Sequence, residues 1–393
     1  MTTKPTPPAD RRMFAPLALL CMLAAAVSNA AADPGAAAGG PWSLHSHACP
    51  GGNRTDALHR DADGTLWLGC GTNATGYGLF RSTDGGSGWQ PAAVSPADAF
   101  DQFRVMSISR GHDGALYAAG FTAVQGSLLM VQRVATGAAP FVASATLVGV
   151  NQVGRQFPVG SYRELADGRA IAEALNGTNL LYRPTAGTGS SAAAWTRELG
   201  TVQILDLVVH DDRFWGAGSL INQPPRVFLP PQAPASPPWQ FQTLDLQPGN
   251  GWKGELWALA VNAHRLVAVG VNQDDDTGRI FVSGADPYQL SGYSELSMSA
   301  ITGDAATWAR GVCMRNDRVV VVGERQPLGS GSGRVLISND GGDSFADITP
   351  AGIAASVSRC VIEPDGTVVV AGAAQVGIRL DPDWIFVDDL ERR

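Results

Sequence analysis

The chain has 393 residues and a formal net charge of −8, and only 16% of its residues are charged. An acidic chain of this length can bury a large core, but its charge argues against nucleic acid as a partner. Glycine (47) and proline (25) are frequent. Such a composition predicts many tight turns between short strands.

The N-terminus is predicted to be a secretory signal peptide. Arg11 and Arg12 precede an apolar stretch, and small residues follow it, which is the order found in cleaved leaders. The arginine pair also fits the twin-arginine export route, so we expect a periplasmic or extracellular protein. No later apolar run is long enough for a stable membrane span. We expect a signal peptide, a flexible mature N-terminus and one folded domain, over residues 1–32, 33–40 and 41–393.

A unit of about 50 residues recurs through the rest of the chain. In each copy an apolar strand leads through a polar turn to a second strand rich in Val, Leu, Ala and Gly. Successive turns are spaced 50, 54, 44, 51, 54 and 49 residues apart, which predicts a repeat array. The seven turns are Asp63-Gly64, Asp113-Gly114, Asp167-Gly168, Asp211-Asp212, Asn262-Ala263, Asn316-Asp317 and Asp365-Gly366.

Each unit is predicted to form a small antiparallel sheet. In the first unit, Ala57–Arg60 and Leu66–Gly69 form a hairpin, Gly78–Arg81 a third strand, and a fourth begins near Trp89. The second strands are nearly all apolar or small, which is typical of strands buried on both faces. Radial packing of the sheets would cover those faces, whereas a β-sandwich would not need the recurrence. The sequence therefore predicts an all-β fold, a β-propeller of about seven four-stranded blades.

The last unit is short of an outer strand. The segment Pro41–Ala48 could supply it and so close the ring, and Asp383–Leu390 is the alternative. A long loop with polyproline character is predicted over Pro224–Pro238 in the fourth unit.

Four cysteines remain after the leader, and in an exported protein an even number suggests disulfides. Four cysteines allow three connectivities. Cys313 and Cys360 fall on the first strands of adjacent units, which favours a bridge between them and leaves Cys49 to pair with Cys70. The spacing lacks the close pairs of a zinc site.

Two octapeptides lie between the third and fourth strands of their units. Ser82–Trp89 (STDGGSGW) and Ser338–Phe345 (SNDGGDSF) follow the pattern S-x-D-x-G-x-[T/S]-[W/F], except that Gly88 replaces the hydroxyl residue in the first. The motif resembles the Asp box of the Asp-box (BNR) repeat propellers of the sialidase-like superfamily, which also includes sortilin-type domains and photosystem assembly factors. The resemblance covers most of the mature chain in architecture and specifies no activity.

The resemblance implies that these residues hold turns at the outer edge of the blades. The Asp accepts backbone N–H bonds, the Gly permits left-handed dihedrals and the aromatic ring anchors the hairpin. We therefore interpret the motif residues as structural and not catalytic: Ser82, Asp84, Gly86, Trp89, Ser338, Asp340, Gly342 and Phe345.

A sialidase would need an arginine cluster that clamps a carboxylate, a Tyr nucleophile paired with Glu, and an acid/base residue. Tyr162 with Glu164, and Tyr293 with Glu295, are candidate pairs. The Arg-Ile-Pro element expected near the start of a sialidase domain is absent from the sequence, and no catalytic residue is assigned.

Two segments carry metal-ligand residue types. Asn272–Gly278 resembles an oxygen-rich calcium loop without the EF-hand register, and we interpret it as a solvated acidic turn. His45 and His47 could share a strand face, with His59 as a third ligand, but an ordinary polar strand is favoured. No metal and no cofactor are expected.

The sequence therefore predicts an exported, monomeric, non-enzymatic propeller that binds a protein or carbohydrate partner. A glycoside hydrolase of sialidase-like type and a periplasmic assembly factor are the alternatives.

Overall fold

The structure is a computed structural model. It describes residues 41–47, 49, 55–71, 76–100, 103–122, 128–147, 159–174, 179–183, 196–199, 203–219, 224–233, 236–247, 253–328, 331–373 and 375–380. The predicted signal peptide, the segment 33–40 and Asp383–Leu390 lie outside these residues.

An N-terminal strand and three sheets make up the first half of the fold. The N-terminal strand is β1 (Trp42–Ser46). Blade 1 contains β2 (Thr55–Arg60), β3 (Leu66–Gly71), β4 (Gly76–Ser82) and β5 (Gln90–Pro91). Blade 2 contains β6 (Val94–Ser95), β7 (Phe103–Arg110), β8 (Leu116–Thr122), β9 (Leu128–Ala135) and β10 (Phe141–Leu147). Blade 3 contains β11 (Val159–Glu164), β12 (Ala170–Ala174), β13 (Asn179–Arg183) and β14 (Thr196–Leu199).

Four further sheets follow in chain order. Blade 4 contains β15 (Gln203–His210), β16 (Arg213–Ser219), β17 (Pro225–Leu229) and β18 (Gln242–Asp245). Blade 5 contains β19 (Gly254–Val261), β20 (Leu266–Asn272), β21 (Thr277–Val282) and β22 (Ser294–Ser297), with a 3-10 turn at Leu290–Gly292. After α1 (Met298–Thr302), blade 6 contains β23 (Thr307–Arg315), β24 (Arg318–Arg325), β25 (Gly333–Ser338) and β26 (Ala346–Asp347). Blade 7 contains β27 (Val357–Ile362), β28 (Val368–Gly372) and β29 (Gln375–Arg379), completed by β1.

The seven sheets form a closed ring. The first strand of each blade contacts the first strand of the next, from β2 through β7, β11, β15, β19 and β23 to β27, and β27 contacts β2 again. These first strands are therefore the innermost strands around a central channel. The predicted β-propeller with seven four-stranded blades is confirmed, apart from the extra two-residue β6, which pairs with β10 in parallel.

The N-terminal strand closes the ring, as the sequence predicted. β1 pairs antiparallel with β29, with Trp42 opposite Arg379 and His45 opposite Val376. The indole N–H of Trp42 donates to the carbonyl of Ile348 at 2.9 Å, which ties the strand to blade 6. Residues from the two ends of the domain thus share one sheet, and the outer edge of β29 is covered.

The predicted loop over Pro224–Pro238 is wrong at its start. Pro225–Leu229 is β17, the third strand of blade 4, and Val227, Phe228 and Leu229 are buried in it. Proline is tolerated as the first residue of a strand, where no ladder donor is lost inside the sheet. The proline-rich composition therefore led to a loop prediction for a segment that forms an apolar strand.

Both predicted disulfides are within bonding distance. Cys49 pairs with Cys70 at a Cα–Cα distance of 5.6 Å, and Cys313 with Cys360 at 5.7 Å. The second pair links the innermost strands of blades 6 and 7. No helix among the described residues has the length and apolar character of a membrane span.

Every innermost strand contains a β-bulge in its first half. At each one the pairing with the second strand skips a residue, which increases local twist and turns that side chain. These seven skipped residues form what we call the bulge ring: Asp56, Met106, Gly160, Leu205, Trp257, Arg310 and Ser358.

Glycine lies against the bulge in several blades. A Cβ atom added at Gly120, Gly270, Gly323 or Gly372 would overlap a backbone carbonyl oxygen of the innermost strand in its own blade or, at Gly372, the carbonyl of Ser356 just before that strand. These are the glycines at the ends of the apolar second strands. Only a residue without a side chain allows this close approach.

Replacing one of these glycines is expected to destabilise the fold. Gly270→Ala would press a methyl group against the carbonyl of Glu255, and we expect the free energy of unfolding to fall by about 1–3 kcal/mol. Gly137→Ala is the control, because no atom lies within 4 Å of its added Cβ, and about 0.5 kcal/mol or less is expected. Urea unfolding of both variants is the measurement. Equal losses would contradict the packing argument.

Candidate functional site

The two ends of the channel differ in chemistry. We call the end at which the innermost strands begin the strand-start face, and the end that carries the seven hairpin turns the turn face. The bulge ring lies nearer the strand-start face, because each bulge is in the first half of its strand. Of its members, Trp257 and Arg310 are partly exposed there, whereas Asp56 and Ser358 are buried.

A group of aromatic and cationic side chains lies at the strand-start face between blades 5 and 6. The guanidinium carbon of Arg310 is 4.2 Å from the ring centroid of Trp257 and 4.5 Å from that of Trp308. The two indoles meet edge to face, with centroids 5.7 Å apart. We call Trp257, Trp308 and Arg310 the indole cluster. Two of its three members belong to the bulge ring.

Acidic partners fix the indole cluster. Trp257 donates its indole N–H to Glu255 at 2.9 Å, and Trp308 donates to Asp276 at 2.6 Å. Arg310 donates through Nε and Nη2 to one oxygen of the buried Glu324, at 2.9 and 2.6 Å. Cation–π contact and these hydrogen bonds hold the rings in place while leaving them partly exposed. A pre-organised, half-exposed aromatic surface of this kind is typical of recognition sites.

The channel below the bulge ring holds a cavity of about 150 Å³. All seven innermost strands contribute to its lining, and its charged side chains are Arg163, Asp206 and Arg359. Nη2 of Arg163 lies 4.0 Å from an oxygen of Asp206, beyond hydrogen-bond distance. Burial raises the pKa of Asp206, while the positive charges of Arg163 and Arg359 act in the opposite direction. The cavity therefore carries opposite charges among apolar side chains, and Arg163 and Asp206 are not in hydrogen-bond contact.

The turn face is joined by contacts between neighbouring blades. Two ion pairs link blade 1 to its neighbours, Arg60 with Glu363 and Arg110 with Asp61. Similar hydrogen bonds connect further blades along this face: His112 to Glu164, the Ala166 amide to Asp212, Asn262 to the Asn316 carbonyl, and Arg318 to the Gly366 carbonyl. The polar groups of the turns thus bind mainly to the turns of neighbouring blades.

Of the two Tyr–Glu pairs proposed from the sequence, one is assembled. Tyr162 donates its hydroxyl to Glu164, which also accepts from the ring of His112 at 2.7 Å. Tyr162 is 1% exposed, so a substrate has little access to its hydroxyl. The hydroxyl of Tyr293 instead donates to the carbonyl of Pro287 at 2.9 Å, and Glu295 contacts Arg279 at 3.2 Å.

Histidine and acidic ligand atoms cluster once within the described ranges. Atoms of His112, Asp113 and Glu164 lie within 4.8 Å of one another. Asp113 accepts from Arg133 at 2.6 Å, and this guanidinium would repel a cation, so we assign no metal there. In Asn272–Gly278 the acidic side chains bind neighbouring groups, such as Asp275 with the Thr277 amide at 3.1 Å.

The three N-terminal histidines do not form a common site. His47 is buried and contacts the carbonyl of Gly372 at 2.7 Å, whereas His59 lies at the turn face, 3.1 Å from Asp61. His45 lies on β1, opposite Val376. The imidazoles are thus divided between two blades.

The two Asp-box-like octapeptides form similar turns between third and fourth strands. Ser82 Oγ accepts the Gly86 amide at 2.8 Å, and Asp84 accepts the Gly88 amide at 2.9 Å. Ser338 and Asp340 accept the amides of Gly342 and Ser344 at 2.8 and 3.0 Å. Trp89 donates to the Gly86 carbonyl at 2.9 Å, and Phe345 is half-buried. Gly86 and Gly342 have φ of 97° and 100°. These turns lie on outer strands, away from the channel.

Sequence reasoning missed the bulge ring and the indole cluster. The bulge residues share no residue type, so no motif marks them. The available signal was the glycine near the end of six of the seven second strands, together with the innermost strand opposite it.

No protein-family model and no curated protein matches this chain. Solved structures do match. YCF48 bound to a D1 peptide is 15% identical, with a TM-score of 0.57, over 87% of this chain and 95% of that one. Virginiamycin B lyase from Staphylococcus aureus is 10% identical, with a TM-score of 0.55, over 86% and 99%. The WD40 propeller domain of Doa1 is 13% identical, with a TM-score of 0.53, over 87% and 96%. These likenesses show the propeller fold alone, because binding proteins and enzymes share it.

Asp61 at the turn face gives a test of the contacts between blades. Burial alone would raise the pKa of Asp61, but hydrogen bonds from His59, Arg110 and Trp67 outweigh it and hold the pKa far below its usual range. Asp61→Asn is expected to lower the free energy of unfolding at pH 7 by about 3 kcal/mol, because Arg110 loses its buried partner.

A lowered carboxylate pKa stabilises the fold above the unfolded pKa of about 3.9, and this contribution is lost as the pH falls below it. The difference between Asp61→Asn and wild type should therefore shrink below about pH 4, as measured by urea unfolding across pH. Asp63→Asn, which changes an exposed turn residue, is the control. A difference that does not change with pH would contradict this account.

Proposed function

We propose that the protein is an exported, non-enzymatic propeller that binds a protein partner through the indole cluster at the strand-start face. The observation that carries this proposal is the pair of half-exposed indoles held by Arg310. Aromatic and arginine side chains are the residues that most often dominate binding energy at protein interfaces.

The rest of the channel supports a binding role. Acidic side chains hold the two indoles in one geometry before a ligand arrives, so little side-chain entropy is lost on binding. The peptide held by YCF48 shows that a propeller of this fold can bind a polypeptide. The burial of Tyr162 also favours a binding protein over a glycosidase that would use this residue as its nucleophile.

Export is part of the proposal. Two cysteine pairs lie at disulfide distance, and disulfides persist in oxidising compartments. The arginine pair and apolar stretch before residue 33 have the order of a signal peptide. A periplasmic assembly factor would be one form of such a binding protein.

The proposal predicts peptide binders that need the indole cluster. Linear peptides displayed on phage would be selected on the oxidised wild-type protein, and the dissociation constants of enriched peptides measured by calorimetry. Trp257→Ala and Trp308→Ala are each expected to weaken binding by about 30-fold or more, which corresponds to about 2 kcal/mol for a central aromatic contact.

Trp89→Phe is the matched control, because Trp89 is half-buried but belongs to an outer turn of blade 1. It should leave the dissociation constants unchanged. Circular dichroism and melting temperatures would show that each variant is folded. Peptides that bind wild type, Trp257→Ala and Trp308→Ala equally well would refute the proposed surface.

The glycosidase alternative rests on the hydrogen bond between Tyr162 and Glu164. We expect no turnover of a fluorogenic sialoside by the wild-type protein, because the Tyr162 hydroxyl is buried. Turnover that is lost in Tyr162→Phe, but retained in Tyr293→Phe, would replace the binding proposal with the enzymatic one.

A further inference from the structure

The channel cavity contains two positive charges and one negative charge that lines the wall. Arg163 on β11 and Arg359 on β27 face the same space as Asp206 on β15. Asp206 already accepts the amides of Leu207 and Leu259, at 2.9 and 3.1 Å. Nη1 of Arg163 donates to the Tyr162 carbonyl at 2.8 Å, while Nη2 is turned toward Asp206 without reaching hydrogen-bond distance. One carboxylate thus faces two guanidinium groups.

Two buried polar groups beside this cavity lack partners among the described residues. The hydroxyl of Ser161, which lines the cavity, has no hydrogen-bond partner, and the carboxyl of Glu173 faces the Gly160 amide without a hydrogen bond of normal geometry. The two residues are 2% and 1% exposed and lie opposite each other in the register of β11 and β12. Buried polar groups are normally satisfied, so an unpartnered pair at a cavity points to a ligand.

Charge decides which ligand fits. Burial, with Asp206 nearby, raises the pKa of Glu173 well above its usual range, which favours its neutral form. Among the side chains that line the cavity, Arg163 and Arg359 outweigh Asp206 by one positive charge. A bound anion would cancel that excess, whereas a cation would add to it. Two planar guanidinium groups favour an anion with paired oxygens, such as a carboxylate.

The charged groups around Glu173 can be named strand by strand. β11 carries Arg163 and Glu164, and Glu164 is held at the turn face by Tyr162 and His112. β15 carries Asp206 and also His210, at its turn-face end. β13 ends at Arg183, opposite Ala170 at the start of β12. Among these, Asp206 is the charge that acts on Glu173.

We propose that the channel cavity is a binding subsite for one carboxylate group, held by Arg163, Arg359 and the hydroxyl of Ser161, which lies opposite Glu173 in the sheet. A volume of about 150 Å³ admits the end of a ligand but not its bulk. The carboxylate can belong to an acidic side chain of the partner or to a free small acid. The inference deepens the proposed binding function and rests on it only for the first source.

Calorimetric titration of the oxidised protein with succinate tests the subsite, with sodium chloride used to match ionic strength. We expect binding that is strongest at pH 5.5 and weakens at higher pH, by up to about tenfold per pH unit once Glu173 ionises. Glu173→Gln keeps the group neutral, so its succinate affinity should depend on pH less steeply than that of the wild type, measured over the same pH range.

Arg163→Gln is expected to weaken succinate binding by at least about tenfold, because it removes a charge-assisted hydrogen bond. Arg169→Gln is the matched control, since Arg169 lies in the hairpin turn of the same blade and pairs with Asp167. If Arg163→Gln does not fold, Ser161→Ala is the substitute. It removes only the unpartnered hydroxyl and should weaken binding several-fold at an unchanged melting temperature.

Two comparisons separate the sources and the proposals. Selected peptides that lose affinity both in Arg163→Gln and after replacement of their own Asp or Glu by Asn or Gln would assign the subsite to the partner. Succinate binding without such peptides would assign it to a free acid, even if the indole cluster binds nothing. Absence of succinate binding by folded wild type at every pH, or equal binding by Arg163→Gln, would overturn the subsite.

Discussion

The close packing of a glycine against the bulge of an innermost strand is the constraint on which the functional part of this propeller depends. A bulge gives the strand one residue more than its partner and turns that residue toward a new direction. In blade 5 the bulge places Trp257 at the strand-start face, and in blade 6 it places Arg310 beside it. Gly270 and Gly323 permit both, because any side chain at these positions would overlap the carbonyls of Glu255 and Trp308.

This constraint explains why the architecture was more predictable than the site. Hairpin turns such as Asp63-Gly64 carry a local signal, and their recurrence predicted about seven blades. Closure by β1 was one of two alternatives for the missing outer strand of the last unit, and the Cys313–Cys360 pair followed from their places on the first strands of adjacent repeats. Trp257 and Arg310 carry no such signal, because a bulge changes direction without requiring a residue type. The segment that begins at Pro225 was predicted to be a loop because of its proline content. The apolar Val227 and Phe228 that follow were the signal for a buried strand.

Ring closure also determines how the two faces differ. At the turn face, short hairpins bring charged side chains of adjacent blades together. These side chains form ion pairs with one another, as Arg110 does with Asp61. Surface ion pairs of this kind contribute little individually, but Asp61 is buried and accepts from Arg110 of the next blade, and this pair resists separation of blades 1 and 2. The same groups are therefore poorly placed to bind a partner. The proposed recognition surface therefore lies on the opposite face, where the indoles are only half-buried.

The narrowness of the channel relates the two proposed sites to each other. Seven innermost strands leave a cavity of about 150 Å³, which is far too small for a folded partner. A macromolecule must therefore make most of its contact outside the channel, where the indole cluster is partly exposed. Only an end group can enter, and inside it meets Arg163, Asp206 and Arg359 among apolar side chains. On these proposals, the indole cluster at the channel mouth supplies affinity through aromatic contact. The arginines inside the cavity supply selectivity for one charged group. Nη1 of Arg359 lies 3.4 Å from the carbonyl oxygen of Arg310. The proposed subsite and the indole cluster are therefore adjacent but use different side chains.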